Sequence, residues 1–301
     1  MNESPVTHHE YTLTLRSDAD YVSPGVYAYM EVVRVRGASG HAVMLVNRQG
    51  GDLPERAVGL FGAVLPVATI AALANALDHI KWGALPQPQG RDVGASSLSI
   101  DYARGTRIIQ RQFQSDDGEF LDAIAPVMGI WGQVDAKLFA NPLRAIDIAV
   151  ARTEHGFKLI IRNVGTGPVL LAAVGQAAAH ARHAPHGVVA VALAAEPPRP
   201  FADPPAFTPV ALQAPADTSH AVPLGPGRTY EIETIAWVPP QPGRYLVRAS
   251  WEDYVGPEVD PKTVMPMIPE PDHAVQDPRP YVMRGAAFSK TVAFVVDGKR
   301  R

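Results

Sequence analysis

Three regularly spaced histidines are the residues in this sequence whose types most directly suggest chemistry. His180, His183 and His186 follow one another at i, i+3 intervals. Neutral imidazoles are good ligands for zinc, copper or nickel, and this spacing on a helix would place two of them on one side. Pro185 and Gly187 argue against a helix that reaches the third histidine. The expected structure is therefore a solvated polar loop, and a metal site is the alternative.

Two acidic segments and one serine are weaker candidates for catalysis. The acidic residues at 116–119 precede a predicted helix, where capping and the helix dipole account for them. Glu252 and Asp253 end a predicted strand, where charged side chains keep a turn in water. Ser39 lies in a Gly-Ala-Ser-Gly-His segment that departs from the G-x-S-x-G nucleophile motif and precedes no helix. We expect structural roles for all of them.

A long proline-rich segment after Trp251 is the strongest candidate for a recognition surface. Residues 256–284 lie between two predicted strands. Connections of this length without structure of their own are uncommon, and they are usually functional or disordered. Aromatic side chains provide large contact areas at protein interfaces. The residues expected to bind a partner are Trp251, Asp253, Tyr254, Met265, Met267 and Tyr281.

The overall composition argues against several classes of function. Cysteine is absent, so the chain has no disulfide, thiol nucleophile or cysteine-bound metal. A formal net charge of −3 provides no electrostatic basis for binding nucleic acid or an anionic membrane surface. The first residues lack the pattern of a signal peptide, and no apolar run is long enough to span a bilayer. We expect a cytoplasmic protein that needs no cofactor and does not insert into a membrane.

The first part of the chain, residues 1–142, is predicted to be an α+β domain with a repeated (ββα)2-like order. Alternating and β-branched segments indicate the strands, and apolar residues at helical spacing indicate the helices. Pro126 predicts a kink or break in the second helix. The predicted strands lie at 27–36 and 41–47 before a helix at 66–82, and at 97–102 and 106–112 before a helix at 119–131.

The second part, residues 143–301, is predicted to be an antiparallel β-sandwich. About eight short strands, one of them at 157–163, follow one another with turn residues between them. The clearest of them lie within 228–251, where two alternating runs flank Pro-Pro-Gln-Pro-Gly at 239–243. This pattern predicts two antiparallel strands joined by a tight connection.

The strand pattern of the second part resembles that of bacterial immunoglobulin-like β-sandwich modules. The segments EHGFKLIIRNVGTGPVLL, LGPGRTYEIE and PGRYLVRASW carry the resemblance, through strand rhythm and Pro-Gly turns over roughly residues 145–297. The resemblance implies an immunoglobulin-like sandwich of the kind that serves binding, inhibitor or immunity roles. The Cys-Trp-Cys core of antibody domains is absent.

The sequence favours a non-catalytic binding or adaptor protein that recognises a protein partner through the sandwich loops. A metal-dependent hydrolase that uses His180, His183 and His186 is the first alternative. A structural subunit of a larger protein assembly is the second. Fold alone does not distinguish these functions, because β-sandwiches carry many unrelated roles.

Overall fold

The computed structural model of the protein describes most of the chain and divides it into two compact units. The described residues form a mixed α+β protein in which strands predominate. The first unit comprises Met1–Val46, Leu60–Leu143 and Ile268–Asp277, and the second comprises Asn47–Gly59, Arg144–Met267 and Pro278–Arg301. The described residues are 10–19, 30–50, 57–85, 96–114, 117–172, 175–176, 188–195, 207–213, 221–234, 236–239, 241–253 and 259–297.

Six neighbouring strands form the centre of the first unit. They are β1 (Thr12–Ala19), β2 (Met30–Arg36), β3 (His41–Gly50), β4 (Val58–Val64), β5 (Ser96–Arg104) and β6 (Arg107–Gln114). Of these, β3 contributes residues 41–46 to this unit and β4 contributes residues 60–64. The six strands lie in the order β4-β3-β2-β1-β5-β6, and β1 runs antiparallel to both of its neighbours. Leu15 is opposite Val33 on one side and Ile100 on the other. All three are buried, so the register places one apolar face across these strands.

Two helices accompany this sheet. Helix α1 (Val67–His79) buries an apolar stripe, and a short 3-10 turn follows it at Trp82–Ala84. Helix α2 (Gly118–Phe139) begins at Asp117, whose side chain accepts a hydrogen bond from the Phe120 backbone N–H at 3.1 Å. The Phe120 ring stacks on Phe113 of β6, which anchors the start of α2 to the sheet.

The first unit departs from the predicted (ββα)2-like order. Strands β1 and β4 add two members to the sheet, so four strands rather than two precede α1. The predicted kink or break at Pro126 does not interrupt α2 either, since one helix continues to Phe139. Pro126 is exposed, where water can satisfy the carbonyl that its missing N–H leaves free, and the buried residues before and after it hold both halves in place.

The second unit is built almost entirely from strands. They are β7 (Pro142–Arg152), β8 (Phe157–Asn163), β9 (Val169–Leu171), β10 (Gly175–Gln176), β11 (Val188–Ala195), β12 (Thr208–Val210), β13 (Val222–Leu224), β14 (Thr229–Glu233), β15 (Gly243–Asp253), β16 (Tyr281–Val282), β17 (Gly285–Phe288) and β18 (Val292–Val296). The antiparallel group β7-β8-β14 is one part of the unit. In another part β15 pairs with β11, β17 and β18, all antiparallel. A small three-stranded sheet has the order β13-β9-β16.

The predicted hairpin within 228–251 is wrong, although both of its strands exist. Strand β14 pairs with β8, whereas β15 pairs with β11, β17 and β18. The connection is rich in proline, which lacks the N–H needed to close a hairpin ladder. It therefore carries the chain from one group of strands to another. Aromatic contacts join the two groups, with ring centroids 5.3 Å apart for Phe157 of β8 and Phe294 of β18.

The described part of the long proline-rich segment is folded. It contains the short helix α3 (Pro271–Ala274) and strand β16, which runs parallel to β9. Residues 268–277 belong to the first unit, and the flanking residues belong to the second. Val264, Met265 and Met283 are buried. These three side chains therefore belong to the core of the second unit.

Candidate functional site

A cavity of about 310 Å³ lies in the first unit between helix α2 and the sheet. Its wall is mostly apolar, with leucine, phenylalanine, methionine and tryptophan side chains. Two acidic residues also line it, one from a strand and one from the helix. The lining residues are Leu15, Ser17, Glu31, Ser97, Leu98, Gln114, Phe120, Leu121, Met128, Trp131 and Asp135.

The register of the sheet places Glu31 in the cavity wall. Glu31 of β2 is opposite Ser17 of β1. Ser17 is also opposite Leu98 of β5, and Leu98 is opposite Phe113 of β6. Residues in one such row point to the same side of a sheet. Since Phe113 contacts α2, Glu31 lies on the helix-facing side, and it is only 5% exposed.

Helical spacing places Asp135 on the opposite wall. Leu121, Met128 and Asp135 follow one another at intervals of seven residues, so they lie along one line of α2. All three line the cavity. Leu121 and Met128 are 41% and 42% exposed, which identifies them as the mouth. Asp135 lies at the end of this line and is partly buried.

The two acidic side chains hydrogen-bond each other, and this contact changes the chemistry of Asp135. Burial and the neighbouring Glu31 carboxyl raise the pKa of Asp135 to about 8, because a second negative charge at this place is unfavourable. Near neutral pH Asp135 therefore keeps its proton and donates it to the Glu31 carboxylate. Within the described residues, the Asp135 Oδ1 atom is buried without a hydrogen-bond partner.

A second polar cluster surrounds Asp272, in the segment of the long connection that belongs to the first unit. Its carboxylate accepts hydrogen bonds from the Ser39 hydroxyl and from Nδ1 of His41, the latter at 2.9 Å. Arg36 Nε lies 3.1 Å from its other oxygen. These donors lower the pKa of Asp272. Ser39 bonds to the carboxylate and not to the imidazole, so this cluster lacks the order of a Ser-His-Asp triad.

Most of the residues predicted to bind a partner are buried. Trp251 and Asp253 are 0% exposed, and Met265 and Tyr281 are also in the interior. Tyr281 donates its hydroxyl to the Met267 carbonyl at 3.0 Å. Among the described members of the set, only Met267 has a substantially exposed side chain, at 47%. These placements give Trp251, Asp253, Met265 and Tyr281 a structural role in the second unit.

Two sets of predicted site residues lie outside the described residues. These are Tyr254 and the three histidines His180, His183 and His186. Within the part of the chain that is described, no group of three or more His, Cys, Asp or Glu side chains could hold a metal ion.

The Glu31–Asp135 pair was not predicted from the sequence, although each residue carries a signal. Glu31 alternates with Val33 and Val35, so an acidic residue lies on the apolar face of a strand. Asp135 continues the line of Leu121 and Met128 beyond the predicted end of the second helix. Neither signal indicates the other residue, because only the tertiary fold brings them together.

Comparison of this chain with models of protein families, with curated proteins and with solved structures gave no match. In the described portion of the chain, no helix has both the length and the apolar character needed to cross a membrane.

Proposed function

We propose that this chain is a binding protein whose first unit holds a small, largely apolar molecule between α2 and the sheet. The observation that carries the proposal is an apolar cavity of about 310 Å³ with an acidic pair in its wall. Small-molecule sites are typically concave and mostly apolar, with a few polar groups that orient the ligand. The volume suits a compound about the size of a substituted benzene ring.

The cavity is a costly feature for a protein that does not use it. An unfilled apolar space loses packing contacts, and a buried carboxyl pair loses hydration. Leu121 and Met128 at the mouth are exposed large apolar side chains, which a bound ligand would partly cover. Ligand binding therefore accounts for the apolar cavity, the buried acids and the exposed apolar rim together.

Recognition of a protein partner remains a second proposal, and the exposed side chain of Met267 supports it. That surface would be smaller than the one predicted from the sequence, because the other described candidates are buried. A non-catalytic role and a cytoplasmic location remain predictions, as do the metal-dependent hydrolase and the structural subunit.

We also propose that the second unit is an immunoglobulin-like sandwich. The proposal is supported by aromatic contacts between the β7-β8-β14 group and the strands around β15, which do not pair directly with each other. The ring centroid of Phe157 of β8 lies 5.7 Å from that of Trp237 and 5.3 Å from that of Phe294 of β18. Tyr245 of β15 also contacts both Trp237 and Phe294. Side chains from two facing sheets meet in this way in a sandwich core.

The ligand proposal is tested by filling the cavity. Leu98→Trp adds an indole at the cavity wall, whereas Ile108→Trp adds the same group at a 72% exposed position of the neighbouring strand. Calorimetric titration with 2-phenylethanol should give saturable binding to the unmodified protein and to Ile108→Trp, and a loss of at least tenfold in affinity for Leu98→Trp. Equal binding to all three proteins, or no binding to the unmodified protein, would contradict the proposal.

A further inference from the structure

The cavity beside α2 is long and narrow, and two contacts mark its ends. Phe120 of α2 stacks on Phe113 of β6. Asp135, fifteen positions further along α2, hydrogen-bonds Glu31 of β2. Helix α2 therefore crosses the sheet from β6 to β2. Because Phe120, Asp135 and Glu31 all line the cavity, the cavity extends across the sheet beneath the helix.

The sheet and the helix give two measures of its length. On the sheet side β2, β1, β5 and β6 are successive neighbours, and three spacings between strands amount to about 14 Å. On the helix side α2 rises about 22 Å between Phe120 and Asp135. A helix that crosses the strands obliquely covers the longer of the two distances, so the cavity is about 14–22 Å long.

The width of the cavity follows from its volume. A volume of about 310 Å³ spread over either length gives a mean cross-section of about 14–22 Å². Non-bonded carbon atoms approach to about 3.5–4.0 Å, so one extended carbon chain needs roughly 16 Å². A cage or a large carbon ring places chain segments side by side and needs at least about twice that area. The cross-section therefore suits a single chain.

The opening of the cavity has the same elongated form. Leu121 and Met128 lie on the line of α2 that continues to Asp135, and their exposed side chains flank the opening. Neighbouring members of this line are about 10 Å apart along the helix axis. A ligand extended along α2 would contact both apolar side chains, whereas a compact ligand would cover one and leave the other in water.

We infer that the ligand class is an unbranched aliphatic chain that carries a small polar head group. This inference rests on the proposed function, since it specifies the shape of what occupies the same cavity. Three backbone bonds of an extended peptide span about 3.3–3.6 Å, so each carbon–carbon bond of a chain adds about 1.2 Å. A chain of about ten to twelve carbon atoms therefore spans the distance of about 14 Å across the four strands.

The lining residues give this chain a direction. In the row of the sheet that faces α2, Glu31 and Ser17 are polar, whereas Leu98 and Phe113 are apolar. The head group would lie beside Ser17, and the chain would lie against Leu98 and Phe120. 2-Phenylethanol fits the same cross-section because its ring is flat, but it fills only part of the length.

The test compares straight and cyclic alcohols. Isothermal titration calorimetry measures the affinity of the unmodified protein for 1-hexanol, 1-octanol, 1-decanol and cyclodecanol. We expect the affinity to rise about threefold to fourfold with each added methylene up to 1-decanol. Each affinity is also divided by the octanol–water partition coefficient of the same alcohol, which corrects for hydrophobicity. After this correction 1-decanol should exceed cyclodecanol by at least about tenfold, because the ring is too wide to enter fully.

A blocked cavity should lose the dependence on chain length. Leu98→Trp places an indole in the middle of the row, so it leaves room for only the first few carbons beside Ser17. The gain in affinity from 1-hexanol to 1-decanol should fall from about a hundredfold to less than about tenfold. Ile108→Trp, at an exposed position of β6, should retain the full gain. The comparison of the alcohols on the unmodified protein stands even if Leu98→Trp fails to fold.

The outcomes separate this inference from the proposed function. Equal corrected affinities for 1-decanol and cyclodecanol, or an affinity that stops rising after 1-hexanol, would overturn the inference and leave the cavity as a ligand site. A full gain with chain length in Leu98→Trp would also overturn it. Failure of 2-phenylethanol and of all four alcohols to bind would overturn the proposed function itself.

Discussion

Glu31 on strand β2 and Asp135 on helix α2 hydrogen-bond each other in the wall of an apolar cavity. Two acids in such a place share one proton, because burial and mutual repulsion disfavour a second negative charge. Keeping the pair buried therefore costs the folded chain the hydration of these acids. This relationship underlies both the proposed function and the first prediction.

The acidic pair should make the stability of the protein depend on pH. Asp135 has a pKa of about 8 in the folded protein and an ordinary value of 3.8 for an isolated side chain. Between these values the folded protein holds a proton that the unfolded chain has released, so the free energy of unfolding falls as pH rises. Asp135→Asn removes this contribution, and its stability relative to the unmodified protein should therefore increase from pH 5 to pH 8.

Urea denaturation of both proteins at pH 5, 7 and 9 measures this difference. The difference in free energy of unfolding should grow from pH 5 to pH 7 and should grow less from pH 7 to pH 9, because Asp135 loses its proton near pH 8 in the folded protein. Asp122→Asn on the same helix is the control for a general effect of charge. A difference between Asp135→Asn and the unmodified protein that stays constant with pH would refute the shared proton.

Asp272 should stabilise the first unit with the opposite dependence on pH. Ser39, His41 and Arg36 lower its pKa, so its contribution is present above the ordinary pKa of an aspartate and is lost as pH falls through the lower folded value. Asp272→Asn should reduce the free energy of unfolding by about 1–2 kcal/mol near pH 7, since the site is partly exposed to water. The reduction should be smaller at pH 3.

The neighbouring Glu270 provides a comparison for this prediction. It forms one exposed ion pair with Arg34 at 2.9 Å, and exposed pairs contribute less than about 1 kcal/mol. Glu270→Gln should therefore have a smaller effect than Asp272→Asn in the same urea titrations. If the two variants are equally stable at pH 7, then the hydrogen bonds to Asp272 do not hold the segment to the β2–β3 turn.

Two glycine substitutions should change stability in opposite directions. Gly285 has a φ of +125°, and a Cβ atom there would lie 1.8 Å from the Asn47 carbonyl oxygen. Gly285→Ala should cost roughly 2–4 kcal/mol because the clash is with backbone. Gly132 lies on an exposed part of α2 with free space around it, so Gly132→Ala should stabilise the protein by roughly 0.5–1 kcal/mol. Thermal unfolding of the two variants measures both changes in stability. A Gly285→Ala protein as stable as the unmodified protein would contradict the close approach of the Asn47 carbonyl to this glycine.

Local patterns in the sequence predicted many of the strands and helices but few of the strand pairings. The strand predicted at 157–163 is β8 with the same bounds, because its alternation matches its burial. Strand β4 was not predicted, since Gly59 and Gly62 interrupt its apolar run. The structure explains Gly59 by a backbone approach, in which a Cβ atom would lie 2.2 Å from the Arg144 carbonyl oxygen. Such a contact between distant residues leaves no periodic signal.

Pairing and sites depend on contacts that local patterns do not contain. The runs that form β14 and β15 are adjacent in the chain, yet each pairs with a strand from elsewhere. Trp251 was predicted at a recognition surface because it precedes a long connection, but the described part of that connection folds and Trp251 is buried. Glu31 and Asp135 meet only because β2 and α2 pack in one unit. Sequence periodicity placed each residue on a face but did not indicate what that face meets.

The methionine methyl groups offer the most direct test of the cavity as a ligand site. Met128 lies at its mouth and is 42% exposed, and Met267, which does not line it, is 47% exposed and serves as the internal control. In a methyl-labelled protein titrated with 2-phenylethanol, the Met128 signal should shift and saturate while the Met267 signal stays in place. Equal shifts of the two signals, or an unchanged Met128 signal at high ligand concentration, would contradict the account.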